Sequence, residues 1–125
     1  MNLLLDTHCL IWLLTDGGAL DAKVRRSVAA AEAVWFSDAS IWELGLKWRK
    51  GKIALQPRQV VAQAVANGLR PLAITLDAVL VSSELRQEHG DPFDRLLYAQ
   101  AKVAGWRLLS IDRSLQGFGA TVLKP

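Results

Sequence analysis

Short, mostly apolar runs recur along this chain, at Asn2 to Leu5, Ala33 to Phe36, Pro71 to Thr75 and Trp106 to Ile111, with helix-length segments between them. A strand exposed on one face alternates apolar with polar residues, whereas a run such as Leu3-Leu4-Leu5 has no polar face and requires cover on both sides. Strands of this kind, separated by helices, predict a parallel sheet with helices on both faces.

The intervening segments carry helix punctuation. Cys9 to Leu14 continues apolar after Asp6-Thr7 and reads as a buried helix, followed by the Asp16-Gly17-Gly18 break. Asp21 is placed to cap an amphipathic helix reaching about Glu32. Ser37-Asp38-Ala39-Ser40 starts a helix running to about Lys50 and closed by Gly51. Ile53 to Leu55 reads as extended, Pro57 leads into a helix ending at Asn67-Gly68, and Asp77 opens one ending at His89-Gly90. Asp91-Pro92 opens another, closed at Gly105. Thr121 to Leu123 is a last short strand. The order is roughly βαα βα α βα α β β.

At 125 residues the chain has the size of one domain, 1–125, and 51% hydrophobic residues suffice for a core without cross-links. The single cysteine, Cys9, excludes an internal disulfide and an all-cysteine metal cage, which fits a reducing, cytoplasmic setting. No stretch approaches the roughly 18 uncharged apolar residues that span a bilayer, and Asp6 stands where a signal peptide wants a basic start. The sequence thus predicts neither membrane insertion nor secretion.

In an open parallel sheet, sites assemble beyond the carboxyl ends of the strands. Asp6 and Asp112 each follow a strand, and Glu43 and Asp94 lie in helices that begin at the same end, so four carboxylates can converge. Each has a plainer reading as a helix cap: Asp6 and Asp112 for the next helix, Asp91-Pro92-Phe93-Asp94 as an N-cap with proline at N1, and Ser40-Ile41-Trp42-Glu43 as a capping box. Capping does not explain an acid between Trp42 and Leu44, or one after three leucines. Buried acids need a partner. The bases Lys47, Arg49, Lys50 and Lys52 cluster toward and beyond the far end of the Glu43 helix, and the sequence suggests none of them as that partner.

Two carboxylates about 5 Å apart repel by roughly 3 kcal/mol at an effective dielectric near 20, so a four-acid cluster needs protons or a metal. Oxygen ligands without a cysteine or histidine quorum select Mg²⁺ or Mn²⁺. With those four of the 12 acids set aside, 15 bases face 8 acids, a surround of +7. An acidic metal pocket in a basic surround suits phosphodiester cleavage.

The run Leu3-Leu4-Leu5-Asp6-Thr7-His8, the segment Ser37 to Leu44, the stretch His89-Gly90-Asp91-Pro92-Phe93-Asp94-Arg95-Leu96-Leu97-Tyr98-Ala99-Gln100-Ala101, and Leu108-Leu109-Ser110-Ile111-Asp112 resemble, in order and nearly end to end, the motifs of PIN-domain ribonucleases of the VapC toxin type. The resemblance implies a three-layer α/β/α sandwich around a five-stranded parallel sheet, and metal-dependent endoribonuclease activity. It places the acidic quartet on Asp6, Glu43, Asp94 and Asp112, with Ser110 where the family often has threonine and Thr7 as a further supporting hydroxyl. Asp91 is assigned to helix capping first, within reach of the site. The resemblance also implies a homodimer, a cognate antitoxin and a structured RNA substrate.

Lys47, Arg49, Lys50 and Lys52, the densest positive cluster, are expected to form a basic rim for RNA phosphates; the plainer reading is a solvated helix face. Trp12 and Trp42 flank the expected site and are candidates for an antitoxin groove or dimer seam, against burial in the core. Trp35 and Trp106 fall on strands and read as core. His8 reads first as a packed or hydrogen-bonded residue, and His89 as a helix-end cation. Two alternative functions use the same features. A Mg²⁺-dependent phosphoryl-transfer domain would want a second aspartate after Asp6 and a lysine after a late strand, both missing. A non-catalytic RNA- or protein-binding module would keep its activity in excess EDTA.

Overall fold

The computed structural model describes residues 1–15, 19–86, 90–119 and 121–124. In chain order the elements are β1 (Asn2–Leu5), α1 (Thr7–Leu14), α2 (Ala19–Ala30), β2 (Ala33–Ser37), α3 (Asp38–Arg49), α4 (Pro57–Ala66), β3 (Arg70–Leu72), α5 (Leu76–Glu84), α6 (Pro92–Ala104), β4 (Arg107–Leu109), α7 (Arg113–Gln116) and β5 (Val122–Leu123). The strands form one parallel sheet in the order β3-β2-β1-β4-β5. β1 lies at its centre, with Leu3, Leu4 and Leu5 paired to Arg107, Leu108 and Leu109 of β4.

The apolar strands are buried on both faces, as their composition requires. Leu3 and Leu5 point into one core with Val34, Phe36, Leu10 of α1, Val24 of α2 and Val60 of α4. Leu4 points into the other with Leu97, Tyr98 and Ala101 of α6, Leu108, and Leu115 of α7. α3 reaches both cores at the carboxyl end of the sheet, through Leu44 on one side and Ala39 on the other. The three-layer α/β/α arrangement expected from the sequence is the one found.

Several local expectations change. The cap of α3 is Ser37, whose hydroxyl accepts from the Ala39 N–H, so Ser40-Ile41-Trp42-Glu43 is not a capping box and Glu43 stands in the second turn. α2 begins at Ala19, so Asp21 lies within the helix; it ends at Ala30 because the Glu32 N–H donates to the Met1 carbonyl and starts β2. α5 ends at Glu84, short of the expected boundary, where the Arg95 guanidinium donates to the carbonyls of Ser82 and Leu85. The one-turn α7, which the expected order lacked, separates β4 from β5. Trp35 and Trp106 stack with centroids 4.6 Å apart but stay partly exposed, with the Arg70 guanidinium over Trp35. The Asp16-Gly17-Gly18 break and His89 fall outside the described residues. Among the described residues no helix is long and apolar enough to cross a membrane.

Candidate active site

The order of strands reverses at β1, and the crevice beyond β1 and β4 is where an open parallel sheet builds its site. Asp6 leaves β1 there. Its N–H continues the ladder to the Leu109 carbonyl at 3.0 Å, and its carboxylate caps α1 by accepting the Cys9 N–H at 2.8 Å. It is 2% exposed and makes no ion pair among the described residues. Burial pushes the carboxyl above its usual range, against the hydrogen bonds it receives from the Ser110 hydroxyl and from the N–H and thiol of Cys9.

Ser110 ties two acids together: its hydroxyl bonds to Asp6 and accepts the Asp112 N–H at 3.0 Å. Asp112 in turn caps α7, accepting from the Ser114 N–H at 2.9 Å. Thr7 and Ser40 are both buried, and the Thr7 hydroxyl donates to that of Ser40 across 3.0 Å. This bond ties the start of α1, next to Asp6, to the start of α3, which carries Glu43.

The Glu43 side chain is 12% exposed, and its Oε2 accepts from Lys47 Nζ one helical turn on, at 3.2 Å. The expectation that no base pairs with this acid is therefore corrected, since i,i+4 spacing on α3 puts Lys47 over Glu43. The second oxygen, Oε1, is buried with no hydrogen-bond partner among the described residues.

α6 runs back toward β4, so its first turn lies at the same end of the sheet. Asp91 caps it, accepting from the N–H groups of Phe93 and Asp94 at 2.8 and 3.3 Å, and Asp94 sits in the first turn, half-buried. The edge of Phe93 meets Trp42 at 5.0 Å and holds α6 against α3. Between these helices opens a cleft of about 450 Å³ lined by Glu43, Lys47, Lys50, Lys52, Asp91 and Phe93 among others. It joins three of the four predicted basic residues to one acid of the quartet and to Asp91; Arg49 is exposed and does not line it.

With side chains as they stand, no three of the described acids, histidines or cysteines surround a common ion position. The donor set nonetheless fits a hard divalent cation. The Glu43 Oε1 atom is a buried oxygen with no hydrogen-bond partner among the described residues, and Asp6 is a buried carboxylate in no ion pair among them.

The two tryptophans separate. Trp42 is 57% exposed and faces, with Val79, Phe93 and Leu96, a groove of about 270 Å³ between α3, α5 and α6. Trp12 is half-buried against the core of the other face, stacked on the exposed His8 ring at 5.9 Å. Sequence reading missed Gln100, which is buried in α6, accepts the Ser37 hydroxyl and donates to the Ala73 carbonyl. It thereby clamps α6 to the strand ends that launch α3. A lone polar residue on the apolar face of α6 was the signal that could have found it.

The sheet has its switch point beside β1, with Asp6 and Asp112 at its carboxyl end, and the PIN domain family model matches residues 3–119. The chain belongs to the PIN-domain family. It is 30% identical over 117 residues to Ribonuclease VapC22 of Mycobacterium tuberculosis (strain ATCC 25618 / H37Rv), covering 92% of this chain and 90% of that one. Among solved structures it resembles Mycobacterium tuberculosis VapC20, a sarcin-ricin loop cleaving toxin, with a TM-score of 0.70 at 20% identity over 98% of this chain and 99% of that one. It also resembles a chain of a toxin-antitoxin complex from Klebsiella pneumoniae, with a TM-score of 0.67 at 20% identity over 96% and 94% of the two chains.

Proposed function

We propose that this single domain is a divalent-metal-dependent endoribonuclease and the toxin of a toxin–antitoxin pair. The observation that carries the reading is Oε1 of Glu43, buried with no partner among the described residues at the edge of a lysine-lined cleft, together with Asp6 buried at the carboxyl end of β1. Asp6, Glu43, Asp94 and Asp112 would hold Mg²⁺ or Mn²⁺, which when bound lowers the pKa of a water and offsets charge on the phosphate oxygens.

The chain's own groups perform the remaining work. Ser110 holds Asp6 and the Asp112 backbone in fixed relation, Thr7 fixes α1 to α3, and Asp91 sets the first turn of α6 and so the position of Asp94. Lys47, Lys50 and Lys52 draw RNA phosphates into the cleft, with Arg49 extending the positive field along α3. A structured RNA is the substrate class, in keeping with what the VapC20 relative cleaves. The apolar groove at Trp42 receives the antitoxin or a second copy of the chain, and Trp12 belongs to the core packing of α1.

The test is RNA cleavage by Asp94→Asn. Cleavage falls below detection, the fold survives, and wild-type cleavage stops in excess EDTA. Wild-type activity in the variant, in a preparation free of contaminating nuclease, excludes the assignment. RNA binding that persists in EDTA without any cleavage supports the non-catalytic reading instead.

A further inference from the structure

Lys47 touches the cleft and the acid together. Its amine lies 3.2 Å from Oε2 of Glu43, while Oε1 of the same carboxylate is buried with no hydrogen-bond partner among the described residues. The amine also lines the cleft beside Lys50 and Lys52. Those two lysines make no ion pair among the described residues, so Lys47 differs from them in kind.

We propose that Lys47 is a built-in counter-cation of Glu43 that commits Oε2, leaves Oε1 as the oxygen that meets a divalent metal, and holds the site's affinity for that metal down. The inference rests on the metal site proposed above. A carboxylate whose two oxygens are both free stays poorly solvated at 12% exposure until a cation arrives. With Lys47 present the metal-free protein is already half neutralised, and an incoming ion meets a like charge across the carboxylate. Both effects weaken metal binding, and both disappear with the amine. Removing a half-exposed amine in a high-dielectric surround changes divalent affinity by about fivefold.

The pairing also divides the positive cluster by role. Lys50 and Lys52 remain available to phosphate at all times, whereas Lys47 is shared between the acid and the cleft. Lys47 is a positioning residue, since it acts through Glu43.

The experiment is a Mn²⁺ titration of the metal-free full chain, without RNA, followed by calorimetry and by electron paramagnetic resonance of free Mn²⁺. Lys47→Met binds Mn²⁺ about fivefold tighter than wild type, and Lys47→Arg, which keeps the charge, binds as wild type does. In EDTA Lys47→Met melts slightly below wild type, and saturating Mn²⁺ raises its melting temperature by more. Equal or weaker Mn²⁺ binding by Lys47→Met, with wild type binding normally, overturns this inference and leaves the metal site standing. No Mn²⁺ binding by wild type overturns the site reading and this inference with it.

Discussion

The Thr7 hydroxyl donates to the Ser40 hydroxyl across 3.0 Å, joining the first turn of α1 to the first turn of α3 in a region closed to solvent. The bond spans 33 residues of sequence and links the helix that follows Asp6 to the one that carries Glu43. Ser40→Ala leaves the Thr7 hydroxyl buried and unpaired and costs about 1–3 kcal/mol of stability. Thr7→Val combined with Ser40→Ala costs less than the two single changes together, because neither partner is then orphaned. Denaturant unfolding of the three variants measures this; strict additivity shows the bond contributes nothing.

Asp6 makes metal-free stability depend on pH. Burial raises its folded pKa above the unfolded value, so the native state binds the proton more tightly. That contribution is complete below the unfolded pKa, near 4, and is lost as pH rises through the folded value. In EDTA the wild-type melting temperature therefore declines across that window more steeply than that of Asp6→Asn. Asparagine is a competent N-cap, so α1 keeps its start. Above the window the variant melts higher than wild type, because it carries no buried charge there. Parallel profiles rule the effect out.

Lys50 and Lys52 line the cleft without an acidic partner among the described residues. Lys50→Gln with Lys52→Gln weakens RNA binding and reduces the slope of log affinity against log salt by about 0.7–0.9 for each phosphate that is no longer neutralised. Binding by the Asp94→Asn background, measured across a salt series, reads this without cleavage. An unchanged slope returns both lysines to the solvated face.

Trp42 keeps more than half its surface in water and touches Phe93 by its edge, so Trp42→Ala costs only about 1 kcal/mol of stability. As an anchor for a partner it costs about 2 kcal/mol or more of binding. Antitoxin affinity by calorimetry and self-association by sedimentation provide the two readouts. No change in either one shows that the groove between α3, α5 and α6 is not a docking surface.

The sequence alone determined the type of the main strands and helices. Leu3-Leu4-Leu5 has no polar face and must be a strand covered on both sides, Asp91-Pro92 must open a helix, and Gly105, with φ 73°, must close it. It also put carboxylates at the ends of strands, which is why the acids of the candidate site were legible before any coordinates. Tertiary structure alone decided who meets whom. Strand neighbours are joined by backbone hydrogen bonds that every residue type offers, so nothing in the pattern dictates that β4 pairs with β1, bringing Ser110 beside Asp6 across a hundred residues. Helix caps compete, and packing selected Ser37 over Ser40, which freed Ser40 for Thr7. Trp12 and Trp42 look alike along the chain, yet packing turned the first onto the core beside Leu10 and left the second in solvent. Periodicity records how much of a side chain is buried, and only the packing of layers fixes which surface buries it.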